Sequence, residues 1–250
     1  MDIAFIVQAR SGSTRLPNKM NMPFYENQSI LDIILNRLKT HFKDISVILA
    51  TTVNSKDDMI VETGKRNQVE IFRGSEDNVL SRFVEASKQF NIKQVVRICA
   101  DNPFISIKYL ADLINFYQSQ KVDYVSFISD SGLPAMKTHF GFFAEITSFK
   151  SLETTAQKTQ DPFYCEHVTN YIYEHPEFFS LNFIKIPEKI ENANIRLTVD
   201  TIEDFKISQN IYSSLVKDFS SLEPVEILSY VKNHPEVLIA MQKQINRNRK

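Results

Sequence analysis

No segment of this 250-residue chain approaches the length of continuous apolar sequence needed to cross a bilayer, so membrane insertion is not expected. Cysteine is scarce: Cys99 and Cys165 stand alone, without a partner at metal-ligand or redox spacing, which argues against a zinc site or a disulfide framework. Charge of either sign is not in excess. With 29 basic and 30 acidic residues the formal net charge is -1, which argues against non-specific nucleic-acid binding and confines any positive field to a local site. The chain starts directly on a strand-like run with no basic leader, so a soluble, cytoplasmic protein is expected. Three sequence motifs are also missing: the P-loop spacing, the G-x-G-x-x-G of dinucleotide folds, and the G-x-S-x-G elbow of serine hydrolases.

What is present near the start is an apolar strand, Ile3 to Val7, running into Gln8-Ala9-Arg10-Ser11-Gly12-Ser13-Thr14-Arg15-Leu16-Pro17-Asn18-Lys19. Three fixed positive charges, at Arg10, Arg15 and Lys19, stand among small hydroxyl residues. Arginines donate paired hydrogen bonds to phosphate oxygens and lysine adds a compact charge, so the loop suits a polyphosphate. Gly12 lets backbone approach a ligand closely. Taken alone, the loop is equally consistent with a basic surface turn.

Apolar runs recur at 3–7, 46–50, 69–72, 95–99 and 122–127, separated by segments of helical periodicity. Ile30, Ile33, Ile34, Leu38 and Phe42 form one helical face; Val79, Phe83, Ala86 and Phe90 a second; Leu110, Leu113, Ile114 and Tyr117 a third. Strands alternating with helices imply parallel pairing through right-handed crossovers, and unbroken apolar strands imply a sheet covered on both faces. Ser75 is expected to cap the helix containing Val79, and Asp200-Thr201 to precede a helix over 202–217. Residues 129–195 break the rhythm. We read the chain as one domain in which this aromatic-rich stretch, with a helix over 161–175, is a small lobe inserted before a closing strand at 195–199. Residues 223–250 read as a helix pair split at Pro235, with a frayed end from Asn246 to Lys250.

In open parallel sheets, ligands bind beyond the carboxyl ends of the strands. Asp101 falls there, after the strand 95–99, and Asp200 follows the run 195–199. Two such carboxylates can share one hard cation, and Mg2+ takes one or two carboxylates beside substrate phosphates. The competing reading gives Asp101 a turn before Pro103 and Asp200 a helix cap. Arg73 and Ser75 stand at a third strand end, while Arg97, inside a strand, calls for a carboxylate partner. Glu166 and His167 are the best polar candidates in the lobe; His139 and Glu145 can equally be structural.

The string from Val7 to Lys19 resembles the signature of the spore-coat polysaccharide type of cytidylyltransferase, a branch of the nucleotide-sugar pyrophosphorylases related to CMP-Kdo and CMP-sialate synthetases. Four further matches follow in the family's order: Phe72-Arg73-Gly74-Ser75-Glu76-Asp77-Asn78-Val79-Leu80, Arg97-Ile98-Cys99-Ala100-Asp101-Asn102-Pro103, Glu166-His167-Val168-Thr169 and Arg196-Leu197-Thr198-Val199-Asp200-Thr201. The resemblance implies a Rossmann-like α/β nucleotidyltransferase fold, a mostly parallel central sheet flanked by helices, working as a homodimer on CTP, Mg2+ and a small acidic acceptor.

Carried over residue by residue, Arg10, Arg15 and Lys19 hold the triphosphate with Ser11 and Gly12 in the same loop. Ala9 meets the base through its backbone, and Arg73 and Ser75 bound the nucleoside. Asp101 and Asp200 hold the metal; Glu145, Glu166 and His167 serve the acceptor. Asn18 stands where the family usually has glycine, and asparagine tolerates the same left-handed backbone. The implied reaction is CMP transfer to an acidic sugar with loss of pyrophosphate. The rivals are a glycosyltransferase that consumes a nucleotide sugar and a nucleotide-binding protein without turnover.

Overall fold

The five apolar runs form strands, as their continuity predicts, in a computed structural model that describes residues 2–216 and 222–247. They are β1 (Ile3–Gln8), β2 (Ser46–Thr52), β3 (Glu70–Gly74), β4 (Gln94–Cys99) and β5 (Tyr124–Ile128). Two more, β6 (Glu145–Ser148) and β7 (Leu181–Lys185), come from within 129–195, so the insertion is woven into the sheet. The strand order is β3-β2-β1-β4-β6-β5-β7. β6 lies antiparallel between β4 and β5, while every other pairing is parallel.

The intervening helices are α1 (Ile30–His41), α2 (Asp58–Arg66), α3 (Val79–Gln89), α4 (Ile107–Ser119), α5 (Phe149–Lys158), α6 (Pro162–Glu166), α7 (Asn170–Glu174) and α8 (Glu188–Glu191). The chain closes with α9 (Ile202–Leu215), α10 (Pro224–Asn233) and α11 (Pro235–Arg247), the last two divided at Pro235 as expected. The expected frayed end falls partly on 248–250, outside the described residues.

Strand alternation sorts the core into two layers. Phe5 and Val7 of β1 point into a cluster with Ile33, Ile34 and Leu38 of α1 and Leu113 of α4, whereas Ala4 and Ile6 point into a second with Leu80 and Phe83 of α3. These side chains are almost wholly buried, and each large one contributes about 1.5–3 kcal/mol by leaving water. Both faces are therefore covered, and the ends of the strands are the surfaces left for a site.

Four local expectations need correcting. The cap of α3 is Asn78, whose side chain accepts from Ser81 N; Ser75 Oγ accepts from Asn78 N one turn earlier. The cap of α9 is Thr201, in a reciprocal box with Asp204, so the Asp200 side chain is released from capping. The helix over 161–175 is two short helices, because Val168 and Thr169 turn into the core between them: Val168 is fully buried and Thr169 Oγ1 donates to Glu145 (2.7 Å). Residues 195–199 are extended but not a sheet strand. Leu197 N donates to His139 O (2.8 Å) and Val199 N to Asp101 O (2.9 Å), which hangs the segment across the ends of its neighbours. Gly141, at φ +70, makes room for it: a Cβ there would lie 3.0 Å from the Leu197 carbonyl carbon.

Candidate active site

The basic loop folds on itself around one carbonyl. Ser13 N and Asn18 N both donate to Ser11 O (2.8 and 3.2 Å), and Asn18 takes the left-handed conformation (φ 58) its side chain permits. This turn sends Lys19 inward, where only 8 % of it is exposed. Its Nζ donates to Val199 O (2.6 Å) and lies 3.6 Å from Asp101. Arg15 reaches Asp200 (2.8 Å), and Arg10 reaches Glu166 (3.2 Å). Each of the three loop cations thus meets a carboxylate from a different part of the chain, and Arg10, Arg15, Lys19, Asp101, Glu166 and Asp200 converge where β1 and β4 end.

Asp200 is aimed by a buried ion pair. Arg196 is fully buried; its Nε and Nη2 donate to Asp204 (2.8 and 2.9 Å), and Nη2 also donates to Asp200 (2.8 Å). Asp204 in turn accepts from Asp200 N and Thr201 N (3.1 and 3.0 Å). Despite burial, these two carboxylates hold the Arg196 pKa above its ordinary value. Arg196 Nη1 also lies 2.6 Å from His139 Nδ1; since a guanidinium only donates, that ring nitrogen is the acceptor.

The loop itself is fastened from below. Ser11 N donates to Asp57 (2.7 Å) and Ser11 Oγ to Lys56 O (3.0 Å), while Thr52 donates to the other Asp57 oxygen. Burial alone would raise the Asp57 pKa, but the hydrogen bonds from Thr52 and Ser11 outweigh it and leave the carboxyl below its usual value. Ser11 is accordingly a positioning residue for the loop. Ala9 donates its N–H to Ala50 O (3.2 Å). Gly12 is exposed at the tip, next to Glu76.

Three candidates are engaged by other parts of the protein in this structure. Arg73 spends its donors on Thr52 O (2.8 Å), Asn54 O (2.9 Å) and Asp58 (2.8 Å), locking β3 to the loop after β2. Ser75 supports the turn before α3. Glu145 is fully buried, accepting from Arg97 and Tyr124 (both 2.5 Å) and from Thr169. It therefore supplies the partner that Arg97 requires rather than an acceptor contact, and Arg97 Nε continues the chain to Gln8 (2.9 Å). Glu166 and His167 remain at the surface, with the His167 ring packed edge-on against Phe163.

Asp57 and Asp204 had only weak sequence signals. Asp57 follows Asn54 at the mouth of a β–α loop, and Asp204 lies eight residues after Arg196, a distance two bonded segments must close. Among the described residues, no group of three or more His, Cys, Asp or Glu side chains stands ready to hold a metal, and no helix is long and apolar enough to cross a membrane.

The cytidylyltransferase family model matches residues 4–244. This chain belongs to the cytidylyltransferase family. Its members are CTP-dependent nucleotidyltransferases, and the basic loop and both aspartates lie inside the matched span. An uncharacterised protein of Methanocaldococcus jannaschii is 36% identical over 250 residues, covering 99% of this chain and 96% of the relative. The spore coat polysaccharide biosynthesis protein SpsF of Bacillus subtilis is 32% identical, with coverage of 91% and 94%. A cytidylyltransferase from Leptospira borgpetersenii superposes with a TM-score of 0.84 at 29% identity, over 95% of this chain and 97% of that one. A CMP:2-keto-3-deoxy-manno-octonic acid synthetase solved with CTP shares the fold, with a TM-score of 0.64 at 10% identity over 86% of this chain and 99% of its own.

Proposed function

We propose that the protein transfers CMP from CTP to a hydroxyl of an acidic sugar of the 2-keto sugar acid type, in a Mg2+-dependent reaction that releases pyrophosphate and supplies surface polysaccharide biosynthesis. The observation that carries this reading is the set of three loop cations, each held against a carboxylate of another segment. A triphosphate offers Arg10, Arg15 and Lys19 stronger anionic partners than single carboxylates, and Asp101 and Asp200 are then free for a cation.

The donor set suits magnesium: two hard carboxylates, Asp101 and Asp200, the residue after Val199, whose N–H donates to Asp101 O, since Mg2+ takes one or two carboxylates and completes its shell with phosphate and water. Asp101 and Asp200 would hold the ion, which would offset negative charge on the phosphates. The acceptor hydroxyl oxygen bonds to the α-phosphorus as the bond from that phosphorus to the bridging oxygen breaks, pyrophosphate leaves with the bonding electron pair and the hydroxyl proton passes to water, so no protein nucleophile is needed. Alignment and positive charge do the catalytic work, through Arg15 and Lys19 above all. The name of the SpsF relative supports the polysaccharide assignment. Glu166 and His167 would face the acceptor, and a homodimer is the proposed assembly.

The test is pyrophosphate release from each of the four nucleoside triphosphates, with Mg2+ and a panel of 2-keto sugar acids and neutral sugars. Release with CTP and an acidic sugar is expected; release with another triphosphate and never with CTP overturns the reading.

A further inference from the structure

Glu145, fully buried on β6, divides its two oxygens among three donors. Oε2 accepts from Tyr124 (2.5 Å). Oε1 accepts from both Arg97 Nη1 (2.5 Å) and Thr169 Oγ1 (2.7 Å), so a single atom joins β4 to the junction between α6 and α7. A buried carboxylate bonded on both oxygens cannot shift without leaving a charge or a donor unpaired, which makes the join rigid.

Both arms of the join end beside residues of the site. Arg97 Nε donates to Gln8 Oε1 (2.9 Å), and Gln8 is the last residue of β1, two before Arg10. On the other arm, Thr169 stands three residues after Glu166. Arg10 and Glu166 then meet at 3.2 Å and close a ring. Loop and lobe are thus tied twice, once by a buried bridge and once by a surface pair.

The break between α6 and α7 is what permits the second tie. In an unbroken helix Glu166 and Thr169, three residues apart, share one face, and burying Thr169 would draw Glu166 inward with it. Instead His167 ends α6, Val168 and Thr169 turn into the core, and the Glu166 side chain stays 56 % exposed and reaches Arg10. An exposed ion pair between two free side chains is worth little, largely because holding both costs entropy, and anchoring the segment that carries Glu166 removes part of that cost. We propose that Glu145 is a positioning residue: through Thr169 it holds Glu166 against Arg10, so an incoming triphosphate must displace a carboxylate already seated there.

The inference rests on the reading of Arg10 as a phosphate ligand, and its test needs no acceptor sugar. CTP is titrated calorimetrically, with Mg2+ and at low salt so that the pair is not screened, into the full-length protein and its variants, alongside thermal melts. Glu166→Gln removes the competitor for Arg10 and is expected to bind CTP about two- to fivefold more tightly, the range of an exposed ion pair. Thr169→Val keeps the shape, loses the donor and is expected to gain in the same direction; Thr169→Ser keeps the donor and should bind as the wild-type protein does. In the Glu166→Gln background Thr169→Val should add nothing, because Thr169 acts through Glu166. Tyr124→Phe loses a bond to the same carboxylate but not the tie to the lobe, so it should lower the melting temperature and leave CTP affinity unchanged. Thr169→Ala takes the place of the valine variant if that one does not fold. Unchanged or weaker CTP binding in Thr169→Val, or an equal gain in the Glu166→Gln background, overturns the inference, since Thr169 would then only pack the core. Unchanged affinity in Glu166→Gln overturns it too and leaves the nucleotide reading standing, whereas a wild-type protein that binds no CTP refutes that reading, and the inference with it.

Discussion

Replacing Asp204 by asparagine tests whether a buried ion pair organises the metal end of the site. Asp204 is 3 % exposed and accepts four hydrogen bonds: two from Arg196, one from Asp200 N and one from Thr201 N. Asparagine has nearly the same shape, but it loses the charge and turns one acceptor into a donor facing Arg196. The guanidinium, fully buried and fixed on that side, cannot move to water. Breaking one side of a buried pair costs about 3–5 kcal/mol, and Arg196 would keep Asp200 as its one remaining carboxylate partner. For a chain of this size each kcal/mol moves the melting temperature by about 2–4 °C, so a drop of about 6–20 °C is expected. Thermal unfolding followed by circular dichroism reads it directly. Arg196 also donates to Asp200, so turnover measured below the new transition should fall too, with a raised Mg2+ requirement. A shift under 2 °C with unchanged Mg2+ dependence would refute the claim that this pair holds Asp200 in place.

Lys19→Met should lower CMP transfer about 10²- to 10³-fold, the range found when a donor to developing charge is removed, and near-normal turnover would remove Lys19 from the chemistry. Asp57→Asn probes the loop fastening through pH. The folded carboxyl titrates below its ordinary value of 3.8, so its stabilisation is complete above that value and is lost as pH falls through the lower, folded one. The variant should melt well below the wild-type protein at pH 7, with the gap closing below about pH 4; a constant gap down to pH 2 contradicts the assignment. CTP affinity measured with Mg2+ and with EDTA should differ by about 5- to 150-fold, a typical coupling between two linked sites, and Asp200→Asn should bind CTP better than wild type in EDTA. Equal affinities in both buffers would mean that nucleotide and metal do not share the site.

The parallel half of the sheet was readable because β1 to β5 are runs of apolar residues that only a doubly covered sheet can bury. β6 was not, since a four-residue strand that begins with glutamate carries no apolar signature. Glu145 is tolerated there because Arg97, directly opposite in the ladder, supplies the countercharge. Sequence shows that a charged side chain exists, but not whether another group of the protein holds it, as with Glu145 on Arg97 and Arg73 on Asp58. Arg73 and Glu145 look like ligands along the chain and are spent on the protein in space.

The loop cations differ from these in where their partners stand. Arg10, Arg15 and Lys19 are paired to carboxylates of three other segments, and one backbone hydrogen bond, Val199 N to Asp101 O, ties Asp101 to the residue before Asp200. Arg97 and Glu145 pair inside the sheet, where Gln8, Tyr124 and Thr169 also hold them, so their bridge is fixed. In the proposed reaction Arg15 with Asp200, and Lys19 with Asp101, would exchange partners: a triphosphate would satisfy the cations and a hard cation the acids. Neither half of the exchange is favourable alone, because phosphate brought in without a metal faces two released carboxylates, and a metal without phosphate faces Arg15 and Lys19. On the proposed reading the positive loop and the acidic strand ends are two halves of one site, and their mutual pairing would make a metal–nucleotide complex, rather than either component, the ligand they select.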